Sequence, residues 1–157
     1  MGCDIHCYIE YRHPTDDRWR DFGGRINPGR NYNIFSRMAG VRGQLSDAVV
    51  APRGFPNNAA YASCDDYWLY ISESISENTC TKEQAKRYIS YGCKYRDDKR
   101  RWVSHPDWHT HSWLTSKEFE QAIKSDFDAP EYTAILAAMR SFESGGYESR
   151  LVFWFDN

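Results

Sequence analysis

The chain has 157 residues, of which 41% are hydrophobic and 16% aromatic, and its formal net charge at pH 7 is −2. This composition predicts one folded domain with a sizeable core, and the lack of a basic excess argues against binding to duplex nucleic acid. The five cysteines are odd in number and form no CxxC pair, which is typical of a reduced cytoplasmic protein. No run of 18 apolar residues is present, so no membrane span is predicted.

The first predicted element is a β-strand at residues 2–11, where apolar and polar residues alternate. The apolar side chains would point to one face of a sheet, and Asp4 and His6 would share the other face, about 7 Å apart. An acid beside an imidazole can serve proton transfer, a metal or plain hydrogen bonding. We therefore interpret this strand as one wall of a site.

Four helices are predicted from apolar periodicity and from residues that cap helix ends. The first spans about residues 32–39 and ends at Gly40. Capping boxes begin two others, at Thr81 and Thr115, and the last helix is expected to begin near Asp128.

Further strands are predicted at residues 18–22, 66–72 and 147–156. The last of these is apolar on both faces, so it is a natural neighbour of the first strand in a central sheet, and Arg150 and Asp156 would then share a face with Asp4 and His6. The predicted fold is α+β: a single domain, residues 1–157, with a central, mostly antiparallel sheet that includes both terminal strands and about three to four helices packed on it. Residues 64–104 are weakly patterned and are interpreted as an insertion or excursion within this domain.

Two groups of residues suggest anion or proton chemistry. Seven arginines lie between residues 18 and 53 with no lysine and only two acids, and the planar fork of arginine suits phosphate. Three of the five histidines lie between residues 105 and 111. Together they favour metal-free acid–base chemistry on a phosphodiester, with His6 and His109 as base and acid and Asp4 orienting one of them. No metal or cofactor is predicted, although a metal held by Asp4, His6 and His109 stays open as an alternative.

The predicted ligand contacts share arginine forks, hydrogen-bonding side chains or aromatic rings. They are Asn31, Tyr32, Arg42, Arg53, Ser112, Trp113 and Arg150. The same residue types would serve a catalytic pocket and a binding pocket without chemistry, so composition does not separate these two alternatives.

Six short motifs carry a family resemblance. They are MGCDIH at 1–6, RNYNIF at 30–35, GVR at 40–42, PRGFP at 52–56, HTHSWLT at 109–115 and RLVFWFDN at 150–157. In this order they resemble a family of small uncharacterised proteins of phages, prophages and bacteria. The resemblance implies a small α+β fold, a phage or prophage origin and a location in the cytoplasm of the infected or lysogenic host. Residues 64–104 depart from the family pattern.

Three functions from different classes follow from these observations. The first hypothesis is that the chain binds a small phosphorylated or nucleotide-like ligand and, as a metal-independent phosphodiesterase, degrades a nucleotide signal of host immunity. The second is a non-catalytic sponge that sequesters the signal. The third is a protein–protein inhibitor of a host factor that uses the aromatic surface. A small-molecule partner is expected, duplex nucleic acid and membranes are not, and oligomerisation stays open.

Overall fold

The computed structural model describes residues 2–124, 126 and 128–157, so Met1 of the opening motif lies outside the described residues. Within this range there are seven strands, five α-helices and a short 3-10 helix at Leu45–Asp47. The strands are β1 (Asp4–Arg12), β2 (Arg20–Ile26), β3 (Trp68–Ile71), β4 (Thr79–Cys80), β5 (Trp102–Ser104), β6 (Trp108–Leu114) and β7 (Glu148–Asp156). The helices are α1 (Tyr32–Ala39), α2 (Tyr61–Tyr67), α3 (Lys82–Ser90), α4 (Ser116–Ile123) and α5 (Pro130–Ser144).

The main sheet has the strand order β2-β1-β7-β6, and all of its neighbours are antiparallel. The two terminal strands pair over their whole length, from Asp4 opposite Asp156 to Arg12 opposite Glu148. This arrangement confirms the predicted α+β class, a single compact domain in which both terminal strands lie in a mostly antiparallel sheet.

One face of the main sheet carries the core. Helices α1, α4 and α5 pack there on the apolar side chains of β1 and β7. Its fully buried large residues include Ile34, Phe35, Phe119, Met139, Leu151, Phe153 and Phe155. Because each such side chain contributes about 1.5–3 kcal/mol on burial, this face holds the sheet and the three helices together.

The opposite face is covered by α2 and by Phe55, whose ring stacks on Tyr67 with 3.9 Å between centroids. Below this cover lies an ion pair between Arg150 Nη2 and Glu10 Oε1, 2.7 Å long, with side chains 6% and 0% exposed. Glu10 also accepts hydrogen bonds from Ser63 Oγ and from the backbone N–H of Ala60. The pair thereby fixes the N-terminal end of α2 to the main sheet.

A small sheet with the order β4-β3-β5 forms within residues 68–104, the segment interpreted as an excursion. Leu69 and Val103 on one of its faces pack against Ala85 of α3. Trp68 and Tyr70 alternate with Leu69 along β3, so they point to the other face. The small sheet therefore has its own apolar contacts and presents aromatic rings away from α3.

Three helix ends follow the predicted signals, namely the starts of α3 and α4 and the end of α1, and Asn31 is a cap that was not predicted. Thr81 and Thr115 form capping boxes at the starts of α3 and α4. Asn31 caps α1, which ends at Gly40 in the left-handed conformation with φ 74°. Each of these caps pairs backbone groups that the first or last turn of a helix leaves without a partner.

The predicted strand boundaries were wrong in two places. Strand β2 does not end at residue 22 but continues to Ile26, because Gly23 and Gly24 adopt φ values of 80° and 71° and allow an irregularity opposite β1. Helix α2 runs to Tyr67, so β3 begins only at Trp68. None of the helices in residues 2–124, 126 and 128–157 has the length and apolar character that a membrane crossing requires.

Candidate functional site

The imidazole of His6 is held by one partner on each ring nitrogen. Nε2 lies 2.6 Å from Asp156 Oδ2, and Nδ1 lies 3.1 Å from Nη1 of Arg25 on β2. Because a guanidinium can only donate, Nδ1 of His6 accepts this hydrogen bond and Nε2 carries the proton that is donated to Asp156. The contacts therefore assign the neutral Nε2–H tautomer to His6.

Aromatic neighbours fix the plane of the His6 ring. Trp154 lies opposite His6 in the strand pairing, and the two rings stack with an interplanar angle of 5° and 5.7 Å between centroids. Trp108 of β6 packs 5.2 Å from the same imidazole. The His6 side chain is only 13% exposed, so its orientation is set before any ligand arrives.

Asp4 lies on the same face and is paired with an arginine. Arg30 donates from Nε to Oδ1 at 2.6 Å and from Nη2 to Oδ2 at 3.0 Å. These hydrogen bonds hold the pKa of Asp4 below its usual value. Gly2 makes room for the pair, since a Cβ at this position would lie 2.0 Å from the Arg30 guanidinium.

An open cavity of about 460 Å³ lies at this end of the sheet, and we call it the end cleft. It is lined by Gly2, Asp4, Arg30, His105, Asp107, Trp108, Asp156 and Asn157. His105 stacks on Trp108 with 4.7 Å between ring centroids, and its Nδ1 accepts from the backbone N–H of Asp107. Burial lowers the pKa of His105, which keeps this imidazole neutral near pH 7.

His109 lies on the other face of the main sheet, so its predicted role as the partner of His6 was wrong. His109 is opposite Phe155 of β7, whereas His6 is opposite Trp154, and neighbouring residues of a strand point to opposite faces. The His109 ring stacks on Phe155 at 6.1 Å, and burial lowers its pKa.

The same geometry separates the alternative metal ligands, because Asp4 and His6 lie on one face and His109 on the other. Within the described part of the chain, no group of three or more His, Cys, Asp or Glu side chains is arranged to hold a metal ion.

Three predicted ligand contacts instead join a loop to the sheet. Arg53 donates two hydrogen bonds to Glu118, at 2.6 and 2.7 Å, and its guanidinium lies 4.1 Å from the centre of the Trp113 ring. Ser112 is buried and accepts from the backbone N–H of Arg53 at 3.0 Å. Arg53, Ser112 and Trp113 therefore fasten the 52–56 loop to β6 and α4 and do not line the end cleft.

The other predicted contacts are also placed outside the end cleft. Asn31 caps α1 and donates to Asp126, and Arg150 belongs to the buried pair with Glu10. Tyr32 accepts from the backbone N–H of Cys3 at 3.4 Å, and its ring lies under the guanidinium of Arg42 at 5.6 Å. Of the predicted site residues, the structure thus brings Asp4 and His6 together. Tyr32 contacts Cys3, the residue before Asp4, and Arg42 lies over the Tyr32 ring.

Of the residues that complete the site, the sequence had suggested the shared face of Asp156 and, as possible metal ligands, His105 and Asp107, whereas Arg25 and Trp108 were not predicted. Arg25, His105 and Trp108 reach His6 or the cleft from β2 and from the segment around the start of β6. The signal for Asp156 was the alternation of both terminal strands, and the signal for His105 was its place in the cluster of three histidines at residues 105–111.

The fold and the site define an α+β protein with a polar cleft beside a histidine–aspartate pair. No protein-family model matches the chain, and no curated protein and no solved structure shows a significant match. The chemistry of the cleft is therefore the basis for a functional proposal.

Proposed function

We propose that the end cleft binds a small nucleotide-like ligand and that the protein sequesters it. A volume of about 460 Å³ falls in the range of small-molecule sites. The stacked rings of His105 and Trp108 provide a surface for a planar base. Nε2 of His105 has no partner among the described residues, so its N–H is available to a ligand acceptor.

The charges of the cleft favour a ligand with few phosphates. Asp4, Asp107 and Asp156 line it together with a single arginine, Arg30, and a carboxylate accepts hydrogen bonds from ribose hydroxyls or base amino groups. A phosphate would be repelled by these carboxylates except beside the guanidinium of Arg30. The base and the ribose would therefore occupy the cleft, with phosphate at its arginine side.

The observation that favours sequestration over hydrolysis is the occupation of both ring nitrogens of His6. A general base needs a nitrogen lone pair that faces the reacting proton. Nδ1 of His6 accepts from Arg25, and Nε2 is directed at Asp156. As long as both contacts are made, His6 supports the cleft wall and transfers no proton.

A phosphodiesterase is the second candidate, and the short contact between His6 and Asp156 favours it. Arg25 is half exposed but does not line the end cleft, so in this candidate a ligand phosphate would extend past the cleft to draw the Arg25 guanidinium away from Nδ1. His6 would then accept a proton from water or a ribose hydroxyl, and Asp156 would stabilise the imidazolium. The oxygen that loses this proton would attack phosphorus as the P–O bond to the leaving alkoxide breaks. The leaving oxygen would take a proton from water, with a hydrogen bond from Nε2–H of His105, and no metal is part of this proposal.

The motif resemblance supports a biological setting for both candidates. In a phage or prophage protein the ligand would be a nucleotide signal of host immunity, met in the cytoplasm of the infected or lysogenic bacterium.

A protein–protein inhibitor that uses the aromatic surface is the third proposal.

The candidates separate in one experiment. The protein is incubated with cyclic dinucleotides and with cyclic ADP-ribose isomers, the protein-bound fraction is removed by filtration, and both fractions are analysed by HPLC before and after heating. Sequestration predicts that ligand is depleted, is recovered intact on heating, and is no longer depleted by the His105→Ala variant. Tyr91→Ser is the matched control, because Tyr91 is 70% exposed and lies outside the cleft.

New products that disappear in His6→Ala would instead establish hydrolysis. If neither depletion nor products are found with any of these nucleotides, both nucleotide proposals are wrong.

A further inference from the structure

A second and larger cavity lies between β2, α2 and the small sheet. Its volume is about 1240 Å³, and five aromatic residues line it: Trp19, Tyr61, Trp68, Tyr70 and Trp102. We call it the aromatic groove. It shares no lining residue with the end cleft, so it is a separate site.

The small sheet explains how the rings come to lie together. Trp68 and Tyr70 are two residues apart on β3 and share a face, and Trp102 of β5 is directly opposite Tyr70. The rings of Tyr70 and Trp102 lie 5.6 Å apart between centroids. Tyr70 is 46% exposed and Tyr61 at the start of α2 is 83% exposed, whereas Trp68 and Trp102 are half-buried and Trp19 is buried.

Hydrogen-bonding groups along the groove remain available to a ligand. Within the described residues, the side chains of Arg18, Arg20 and Asp65 make no hydrogen bond or ion pair, although all three line the cavity. Trp19 is buried in the wall, and its Nε1 donor has no partner in the same part of the chain. This donor has almost no exposed surface, so it lies inside the wall of the groove and is not one of the groups available to a ligand.

The charge balance of the groove argues against a polyanion. Three arginines (18, 20 and 96) and four aspartates (16, 17, 21 and 65) line it, which leaves a formal charge of −1. Single-stranded nucleic acid needs a groove with a positive excess along its phosphates. A neutral ligand with many hydroxyl groups can use both the arginine donors and the aspartate acceptors.

We propose that the aromatic groove binds a short, uncharged oligosaccharide. The apolar faces of its sugar rings stack on Trp68, Tyr70 and Trp102, and its hydroxyls bond to the polar rim formed by Arg18, Arg20 and Asp65. The volume exceeds that of a typical small-molecule site, which suits a ligand of more than one ring.

Saturation-transfer NMR with a panel of neutral tetrasaccharides of glucose, galactose, mannose and N-acetylglucosamine tests this proposal, with tryptophan fluorescence to measure affinity. At least one member is expected to show transfer to its ring protons and to bind about tenfold more weakly to Trp102→Ala, because one stacking surface is lost. Tyr91→Ser is expected to bind as the unchanged protein does, and so is His105→Ala, whose altered side chain lies in the end cleft.

Asp65→Asn provides a second variant in case Trp102→Ala unfolds the small sheet, and it is expected to weaken the same interaction because Asn can accept at only one oxygen. The proposal fails if no tetrasaccharide gives transfer at millimolar concentration, or if binding is equal in both groove variants and the unchanged protein. Salt-sensitive binding of a ten-nucleotide oligothymidine that is lost in Trp102→Ala would assign the groove to single-stranded nucleic acid instead.

Discussion

At the scale of single residues, hydrogen-bond partners decide what a histidine can do. His6 has Asp156 on Nε2 and Arg25 on Nδ1, so its tautomer and orientation are fixed. In the described part of the chain, His105 accepts on Nδ1 from the backbone N–H of Asp107 and has no hydrogen-bond partner on Nε2, which leaves Nε2 for a ligand. The two imidazoles therefore have different roles: His6 lies behind the wall of the end cleft and holds Asp156 and Trp108, whereas His105 lines the cleft.

Arg150 was predicted to bind a ligand, and its burial leads to a different prediction. Replacing it by Met leaves the carboxylate of Glu10 buried without its cation, which typically costs about 3–5 kcal/mol. We expect a loss of this size in the free energy of unfolding, measured by urea denaturation monitored by circular dichroism.

The matched control is Arg12→Met. Arg12 pairs with Glu148 at 2.6 Å, but these side chains are 27% and 47% exposed, so the expected loss is under about 1 kcal/mol. Equal losses in the free energy of unfolding of the two variants would show that the buried carboxylate of Glu10 does not need Arg150 as its partner.

At the scale of elements, local signals predicted what local interactions determine. The capping boxes at Thr81 and Thr115 and the terminal glycine of α1 gave the correct helix boundaries, because a cap involves residues only a few positions apart. Strand β6 was not predicted. Thr110 has φ 54°, and the pairing shifts between His109 and Ser112, so alternation breaks within the strand. This irregularity also changes which residues of β6 share a face with His109.

The contact between the 52–56 loop and α4 should depend on acid pH. Hydrogen bonds from Arg53 lower the pKa of Glu118 from 4.5 to about 2. A carboxylate whose pKa is lower in the folded than in the unfolded chain stabilises the fold at any pH above its unfolded pKa. For Glu118 this contribution is lost as the pH falls from about 4.5 to about 2. The free energies of unfolding of the unchanged protein and of Glu118→Gln, measured by thermal unfolding, should therefore differ by on the order of 1–3 kcal/mol at pH 6. The two values should converge near pH 2.

A constant difference between these two proteins across that range would mean that Glu118 stabilises the fold by packing or capping rather than by its charge. Glu83→Gln is the matched control, because among the described residues Glu83 pairs only with Lys86, on the exposed surface of α3, and should show no such convergence.

At the scale of the whole molecule, the sequence predicted the sheet better than the site. The pairing of the terminal strands could be inferred because both alternate and one is apolar on both faces. The site could be inferred only where it follows from that pairing, as for Asp4, His6 and Asp156. Arg25 comes from a strand that continues past two glycines, and His105 comes from beyond the small sheet. Their meeting depends on tertiary packing that no local pattern reports.

The pairing of β1 with β7 has a practical consequence for anyone who purifies this protein. Gly2 and Asn157 both line the end cleft, so a tag joined to this chain next to either residue lies close to the proposed ligand site. A flexible affinity tag there would compete with the ligand or cover the cleft. We expect the nucleotide affinity measured by calorimetry to rise when a terminal tag is removed by a protease, whereas a tag inserted at the exposed residues 73–77 should leave it unchanged. Equal affinities for the tagged and untagged protein would place the ligand elsewhere on the surface.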